Sequence, residues 1–517
     1  MSLSSTNTTI LPQQAARFLQ QASFASTSND IAAAQAQGYA AWLEKEFNQP
    51  LSPGNFDWLL DHGYADAQYL TNFAGAAPAI WQRLISAPDV LRQRIALALS
   101  EFFVVGAQGI SALPYRQFVM AAWWDLLCTH AFGNFRDLLE AVTLSPAMGR
   151  YLNTAGNQKE DPATGRQPDE NYAREVLQLF TIGLHLLNPD GSVQTDATGR
   201  AIESYTQDDV TQLARVFTGW TIPVTRQTTT PEFARLPMTL IPSRHSTLEA
   251  RFLGAVVPAG TDGATALRIA LDTLFTHPNV APFFGKQMIQ RLVTSNPSPA
   301  YIARVAAAFD NNGRGVRGDI QAVVRAVLLD DEARGDAGLS STNFGKLREP
   351  ALRFLHWARS FGAASNDGQW NIGDLSDAGT ALGQQPLNAP SVFNFFRPGY
   401  MPPNTAMAVQ GLVAPEFQLV HETSVAGYMN FMQSVIAAGR GGVRANYNTE
   451  LALAQDAEAL TQHLNLVLCA NRMSSAAFTT IRDAVNSINA RTDAGRRSRV
   501  YAAILMTMCC PDYLIQK

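Results

Sequence analysis

Apolar residues recur at intervals of three and four along most of the chain, the spacing that gathers them on one stripe of an α-helix. The segment "AARFLQQASF" leads into "TSNDIAAAQAQGYAAWLEKEFNQP", where Ser28 or Asn29 is expected to cap a helix that Pro50 closes off. Further runs of the same kind include "DVLRQRIALALSEFFVV", "YRQFVMAAWWDLLCTHAF", "PDENYAREVLQLFTIGLH", "TQDDVTQLARVFTGW", "VAPFFGKQMIQRLVT" and "KLREPALRFLHWARSF", with several more after Pro415. The pattern predicts an all-α fold, a multi-helix array.

Three stretches break the period. "LNPDGSVQTDATGRAIESYTQ" holds two turn signals, Pro189-Asp190-Gly191 and Thr198-Gly199, around short alternating segments, which predicts a small inserted β-hairpin near 188–206. Residues 221–254 lack helical spacing, and "LGQQPLNAPSVFNFFRPGYMPPNTAM" is rich in Pro, Asn and aromatic residues. Long ordered loops of this kind are where binding tends to reside. A chain of 517 residues exceeds what one core usually supports, about 250–300 residues. The expected division is therefore a helical subdomain over 12–220, an irregular insertion over 221–254 and a second helical subdomain over 255–517. No period of solenoid length is visible.

Composition narrows the function classes. With 46% apolar and 16% charged residues and a net charge of -4, the chain has neither a disordered composition nor a nucleic-acid footprint. Cys128, Cys469, Cys509 and Cys510 form no CxxC or ligand ladder, so buried thiols are expected, with a Cys128–Cys469 bridge as the alternative. The opening "MSLSSTNTTILPQQAARFL" has no basic stretch followed by an apolar one, and no 18-residue apolar run occurs later, which predicts a soluble chain with no membrane span. No GxSxG and no GxxxxGK[ST] is present, against a common serine hydrolase or a P-loop enzyme.

Candidate chemistry centres on the run from Pro168 to His185. At 100° per residue, Glu170, Asn171, Arg174, Glu175, Gln178, Thr181 and His185 share an arc of about 140°. Asp169 is the expected N-cap. Glu170 and Arg174 have the spacing of a surface ion pair, and the arc suits a solvated face, a polar network locking two helices, or a site. Glu175 lies at the apolar edge, where partial desolvation raises a carboxyl pKa toward acid–base use. In "YTQDDVTQLARVFTGW", Thr206 is the expected cap, with Asp208 and Asp209 in the first turn. If the hairpin returns that end to the first helix, two or three carboxylates would converge to bind Ca²⁺ or Mg²⁺, or to act as an acid–base pair. His245, in a loop beside Arg244 and Glu249, is a further base or ligand candidate. "GKQMIQRLVTSN" and "KLREP" offer Lys286, Arg291, Lys346, Arg348 and Glu349 as an anion clamp or as inter-helix ion pairs. "NAPSVFNFFRPGY" offers Asn388 and Arg397 among aromatic rings, a composition suited to a sugar or flat ligand or to packing on the core.

The blocks "RFLQQASFASTSNDI", "GNFRDLLEAVTLSPAMGRYLN", "PDENYAREVLQLFTIGL", "YTQDDVTQLARVFTGW", "GKLREPALRFLHWAR" and "PLNAPSVFNFFRPGY", in this order, closely resemble the bacterial domain-of-unknown-function 1800 family. The resemblance implies a large helical bacterial protein, export in many members, and genes often adjacent to those of an exported family resembling alkaline phosphatases and sulfatases. No established activity comes with it. Members usually carry a lysine between the loop histidine and "FLG", whereas this chain reads "RHSTLEARFLG", with Ala250 and Arg251.

Two function classes therefore stand. One is a binding or assembly partner of a phosphatase- or sulfatase-like protein or an envelope polymer, periplasmic or extracellular by the resemblance. The other is a hydrolase or lyase acting on an extracellular polymer such as a polysaccharide. It would use Glu175 with Asp208 or Asp209, His245 as a further catalytic candidate, and Glu170, Asn171, Arg174, Gln178, Asn388 and Arg397 around the substrate.

Overall fold

The computed structural model describes residues 9–225 and 228–517. Among them 25 α-helices form, joined by two-stranded antiparallel pairs, so the helical period of the sequence is realised as an all-α array. None of these helices is long and apolar enough to cross a membrane.

Local chemistry sets the helix ends. The Thr27 hydroxyl accepts from the Asp30 amide while the Asp30 carboxylate accepts from Thr27, a reciprocal cap one residue before the expected Ser28 or Asn29. The helix expected to continue to Pro50 is divided at Gly38, whose φ of 78° no helical residue adopts, into Ser28–Gln37 and Tyr39–Phe47. The helix expected over 168–185 spans only Asn171–Gln178. Its end is closed by the Thr181 hydroxyl, which donates to the Val176 carbonyl at 2.5 Å, and by the amides of Ile182 and Gly183, which donate to Leu177.

The inserted hairpin is a compact three-segment unit. The Leu186 amide donates to Ile202, Ile202 to Gln194 and Gln194 to Leu186, closing a ring of three backbone hydrogen bonds of 2.8–3.0 Å. The three residues are eight apart, and the turns between them both carry a glycine at positive φ, Gly191 and Gly199. Of the irregular segment expected over 221–254, residues 226 and 227 lie outside the described residues. The rest contains the short strand Thr239–Leu240 against Trp220–Thr221, and Ala250–Phe252 against Ala255–Val257.

One apolar cluster runs from Ala15 to Tyr513. Trp81, Trp124 and Trp357 are buried with their indole N–H groups donating to Gln385, Gln93 and Tyr447, as a buried ring with a polar edge requires. Through this core passes a knot of buried charge: Arg94, Arg291 and Lys346 with Glu101, Glu349 and Glu416. Lys346 Nζ lies 2.9 Å from Glu416 Oε1 and donates to the Arg291 carbonyl at 2.8 Å, while Arg291 Nε lies 3.7 Å from Glu101 Oε2. The expected basic clamp is thus resolved into ion pairs for Arg291 and Lys346, while Glu349 accepts from the Gln384 side-chain amide at 2.5 Å. Arg348 donates to the Tyr513 carbonyl, and Lys286 faces outward. Cys128, Cys469 and Cys510 are buried free thiols and Cys509 is partly exposed.

Candidate functional site

Helix Asn171–Gln178 lies against helix Gln207–Val216, and their facing polar groups form a closed network. Arg174 Nη2 donates to Glu170 Oε2 at 3.1 Å and to Gln207 Oε1 at 3.0 Å. Gln207 Nε2 returns a bond to Glu170 Oε2 at 2.8 Å, and the Thr211 hydroxyl donates to Glu170 Oε1 at 2.7 Å. Partial burial opposes ionisation of Glu170, but the bonds from Thr211, Gln207 and Arg174 outweigh it and hold the carboxyl below its ordinary range. The N-cap is Glu170 and not the expected Asp169, which stands one residue earlier and accepts from the Asn171 amide through Oδ1 at 2.8 Å.

Glu175 sits apart from this network. It is half-buried, its Oε2 is buried without a hydrogen-bond partner, and burial pushes its pKa up against the weaker pull of Arg174. Two phenols are its electrostatic neighbours. Tyr151 is pushed up to about 12, by burial first and by the Glu175 charge second. Tyr205 is raised by burial and donates to Gln178 Oε1 at 3.1 Å. The Tyr151 ring reaches this position across Gly106 and Gly109, where an added Cβ would stand 3.4 and 2.3 Å from it. Gly106 in turn pairs with Asn388, and the Ala107 amide donates to Leu387. Asn388 Nδ2 donates to Asp374 Oδ2 at 3.0 Å and Ser376 Oγ at 3.3 Å, so the loop that carries it is anchored beside the Tyr151 wall.

The other expected carboxylates have different partners. Asp209 Oδ2 accepts from the Thr206 amide and hydroxyl, both at 2.7 Å, and Oδ1 accepts from the Leu253 amide at 2.8 Å. It therefore caps its own helix and clamps the tip of the Ala250–Phe252 hairpin. Asp208 is exposed and accepts from Gln212 at 3.3 Å. Arg251, in the stretch where the resemblance implies a lysine, pairs with Glu249 at 2.7 Å. His245 is buried, with Nδ1 3.0 Å from the Thr218 carbonyl, which fixes the proton on Nδ1. Gly219 and Gly263 give it room, since a Cβ on Gly263 would stand 3.2 Å from the imidazole Cγ. Among the described residues, no hydrogen bond or ion pair joins His245, Asp208 or Asp209 to Glu175. No group of three His, Cys, Asp or Glu side chains there is placed to hold a metal ion.

Sequence reasoning missed Tyr151, Tyr205, Glu160 and Ser246. The Ser246 hydroxyl lies 3.0 and 2.9 Å from the two Glu160 oxygens, tying the loop before helix Asn171–Gln178 to the His245 loop. Adjacency to His245 was the one signal available for Ser246.

A second surface lies at the other candidate loop. Asn394, at φ 59°, donates to the Ser100 carbonyl, while exposed Arg397 stacks 4.4 Å above the Phe393 ring and its amide donates to Gln418. Beyond it, Met401, Met407, Val409, Val420, Val425 and Met429 account for six of the fourteen exposed large apolar residues among those described. Two hollows of about 170 and 260 Å³ share Leu347, Phe417 and Ile515. Met407 lines the first, and Val420, Val425 and Met429 line the second. The two hollows therefore adjoin, and Met401 and Val409 line neither of them.

The family model described as a protein of unknown function, DUF1800, matches residues 17–515. No curated protein and no solved structure matches the chain.

Proposed function

The chain belongs to the DUF1800 family, and we propose that it is a binding or assembly protein. The observation that carries this reading is the apolar surface between Met401 and Met429. Val409 is 89% exposed and Val425 47%, in a stretch that concentrates apolar side chains which single exposed residues would not explain. The occupant is a folded partner protein with a complementary apolar surface, which Arg397 and Phe393 would border. The resemblance suggests an exported phosphatase- or sulfatase-like protein as the first partner to test, with the interaction in the periplasm or outside the cell if the chain is exported and in the cytoplasm otherwise. Titration calorimetry of the purified chain with such a protein tests it. V425D/M429E is expected to weaken binding about tenfold or more. Wild-type affinity in that variant ends the reading, and binding of an envelope polysaccharide in its place replaces the protein partner.

The buried, unpartnered Oε2 of Glu175 beside Tyr151 supports a second reading, a carboxylate-dependent hydrolase or lyase acting on an extracellular polysaccharide. Glu175 would exchange the proton with Asp208 or Asp209 as its counterpart and His245 as an alternative base. Glu170, Asn171, Arg174, Gln178 and Asn388 would line the substrate path. Polysaccharide turnover by the wild type that disappears in E175Q, with the fold retained, would favour this reading over the first.

A further inference from the structure

A cleft of about 720 Å³ lies between helix Asn55–Asp61, helix Arg116–His130, helix Phe135–Leu144 and the turn at residues 234–237. Its size is that of small-molecule sites, and none of the candidate residues above lines it. The floor is apolar, formed by Phe56, Ala122, Leu126, Leu144, Pro146 and Leu236. Four carboxylates, those of Asp57, Asp125, Asp137 and Glu140, also line it, with Arg235 as the one lysine or arginine among the lining residues.

These carboxylates are committed to different degrees. Asp125 accepts from the Asn55 and Phe56 amides at 2.7 and 2.9 Å and so holds the start of helix Asn55–Asp61. Glu140 pairs with Arg136 at 2.7 Å, but that arginine is shared with Asp272. The Asp137 side chain is exposed and makes no ion pair among the described residues. The cleft also shows how it holds a cation. The Arg235 guanidinium stands 4.4 Å over the Phe56 ring and 3.3 Å from Asp57 Oδ1, a planar basic group between an aromatic face and a carboxylate.

We propose that this cleft binds a ligand with an apolar stem and a basic head of guanidine, amidine or amine type, the stem on the Leu126–Leu144 floor and the head toward Asp137 and Glu140. Arg235 pairs with Asp57 and Glu232, which leaves Asp137 and Glu140 to face the incoming head. Removing the arginine lifts the repulsion between two positive groups in one cleft and so strengthens binding of the head.

Calorimetric titration of the full chain with benzamidine, and with its neutral isostere benzamide, tests the proposal. Benzamidine is expected to bind saturably and benzamide at least about tenfold more weakly. D137N/E140Q should weaken benzamidine about tenfold, and R235A should tighten it severalfold. Agmatine and acetyl-Leu-Arg-amide, which carry the same guanidinium, separate a free small molecule from the side chain of a peptide, according to which binds more tightly. Equal affinity for benzamide, no saturable binding of any probe, or wild-type affinity in a folded D137N/E140Q variant overturns the proposal. If that variant fails to fold by circular dichroism, the benzamide contrast and R235A decide.

Discussion

Thr211 and Glu170 meet across two helices, the hydroxyl donating to Glu170 Oε1 at 2.7 Å while Gln207 and Arg174 take the other oxygen. Through this carboxylate the polar arc after Pro168 becomes a fastener between helices. The ion pair within it is partly exposed, so its own share of the stability is small.

Removing the hydroxyl while keeping the shape tests that role. T211V is expected to lose about 0.5–1.5 kcal/mol, the net value of one such hydrogen bond. Paired with E170A in a double-mutant cycle, it should show coupling above about 0.5 kcal/mol. Urea denaturation of the four proteins measures both quantities, and additive losses would mean that the network does not act as a unit.

Asp209 gives a second prediction, because one carboxylate serves both a helix start and a hairpin tip. D209A should cost about 1–2 kcal/mol, the usual range for a lost cap, and should speed hydrogen exchange at the Leu253 amide. Burial acts against its ionisation, but the amides of Leu253 and Thr206 hold its pKa below the ordinary value. Its contribution is therefore fully present above the unfolded pKa and is lost as pH falls through the lower folded one. The stability difference between wild type and D209A should shrink in that acid window.

The core knot yields a third. Burial first, and then the neighbouring Glu349, push Glu101 well above the usual carboxylate range. R291M should cost about 3–5 kcal/mol by leaving buried carboxylates without their cation. E101Q keeps a neutral donor and should cost far less. A carboxyl whose folded pKa is raised contributes stability that is complete below the unfolded pKa and lost as pH rises through the folded one. Relative to wild type, E101Q should therefore gain stability as pH rises above that of free glutamate, measurable by thermal unfolding across pH.

The helical array was legible because its signal is local: three- and four-residue spacing, caps such as Thr206 and prolines at helix starts. The breaks at Gly38 and Gln178 were not, since each runs through a stretch whose apolar period continues beyond it. Lys346 and Arg291 stood out as basic residues suited to an anion clamp or to ion pairs. Their partners Glu416 and Glu101 come from distant segments, and only the packed core defines those pairs. For the same reason Tyr151 was invisible as a neighbour of Glu175. Its placement depends on the bare backbone of Gly106 and Gly109, which no periodicity reports.

Glu175 supplies the remaining prediction. Its carboxyl is raised by burial, opposed by Arg174 alone, so the ionised form is disfavoured in the folded chain. Stability tied to this group is complete below the unfolded pKa and declines as pH rises through the folded value. E175Q should match the wild type in acid and exceed it near neutrality, by no more than about 1 kcal/mol because solvent reaches the half-exposed group. Tyr151 should respond as well, because the Glu175 charge is the second cause of its elevation after burial. Its phenol should ionise at lower pH in E175Q, an effect visible as the loss of one late-titrating tyrosine in the ultraviolet difference spectrum against Y151F. An unchanged Tyr151 titration would separate the two groups and remove the coupling on which the carboxylate reading relies.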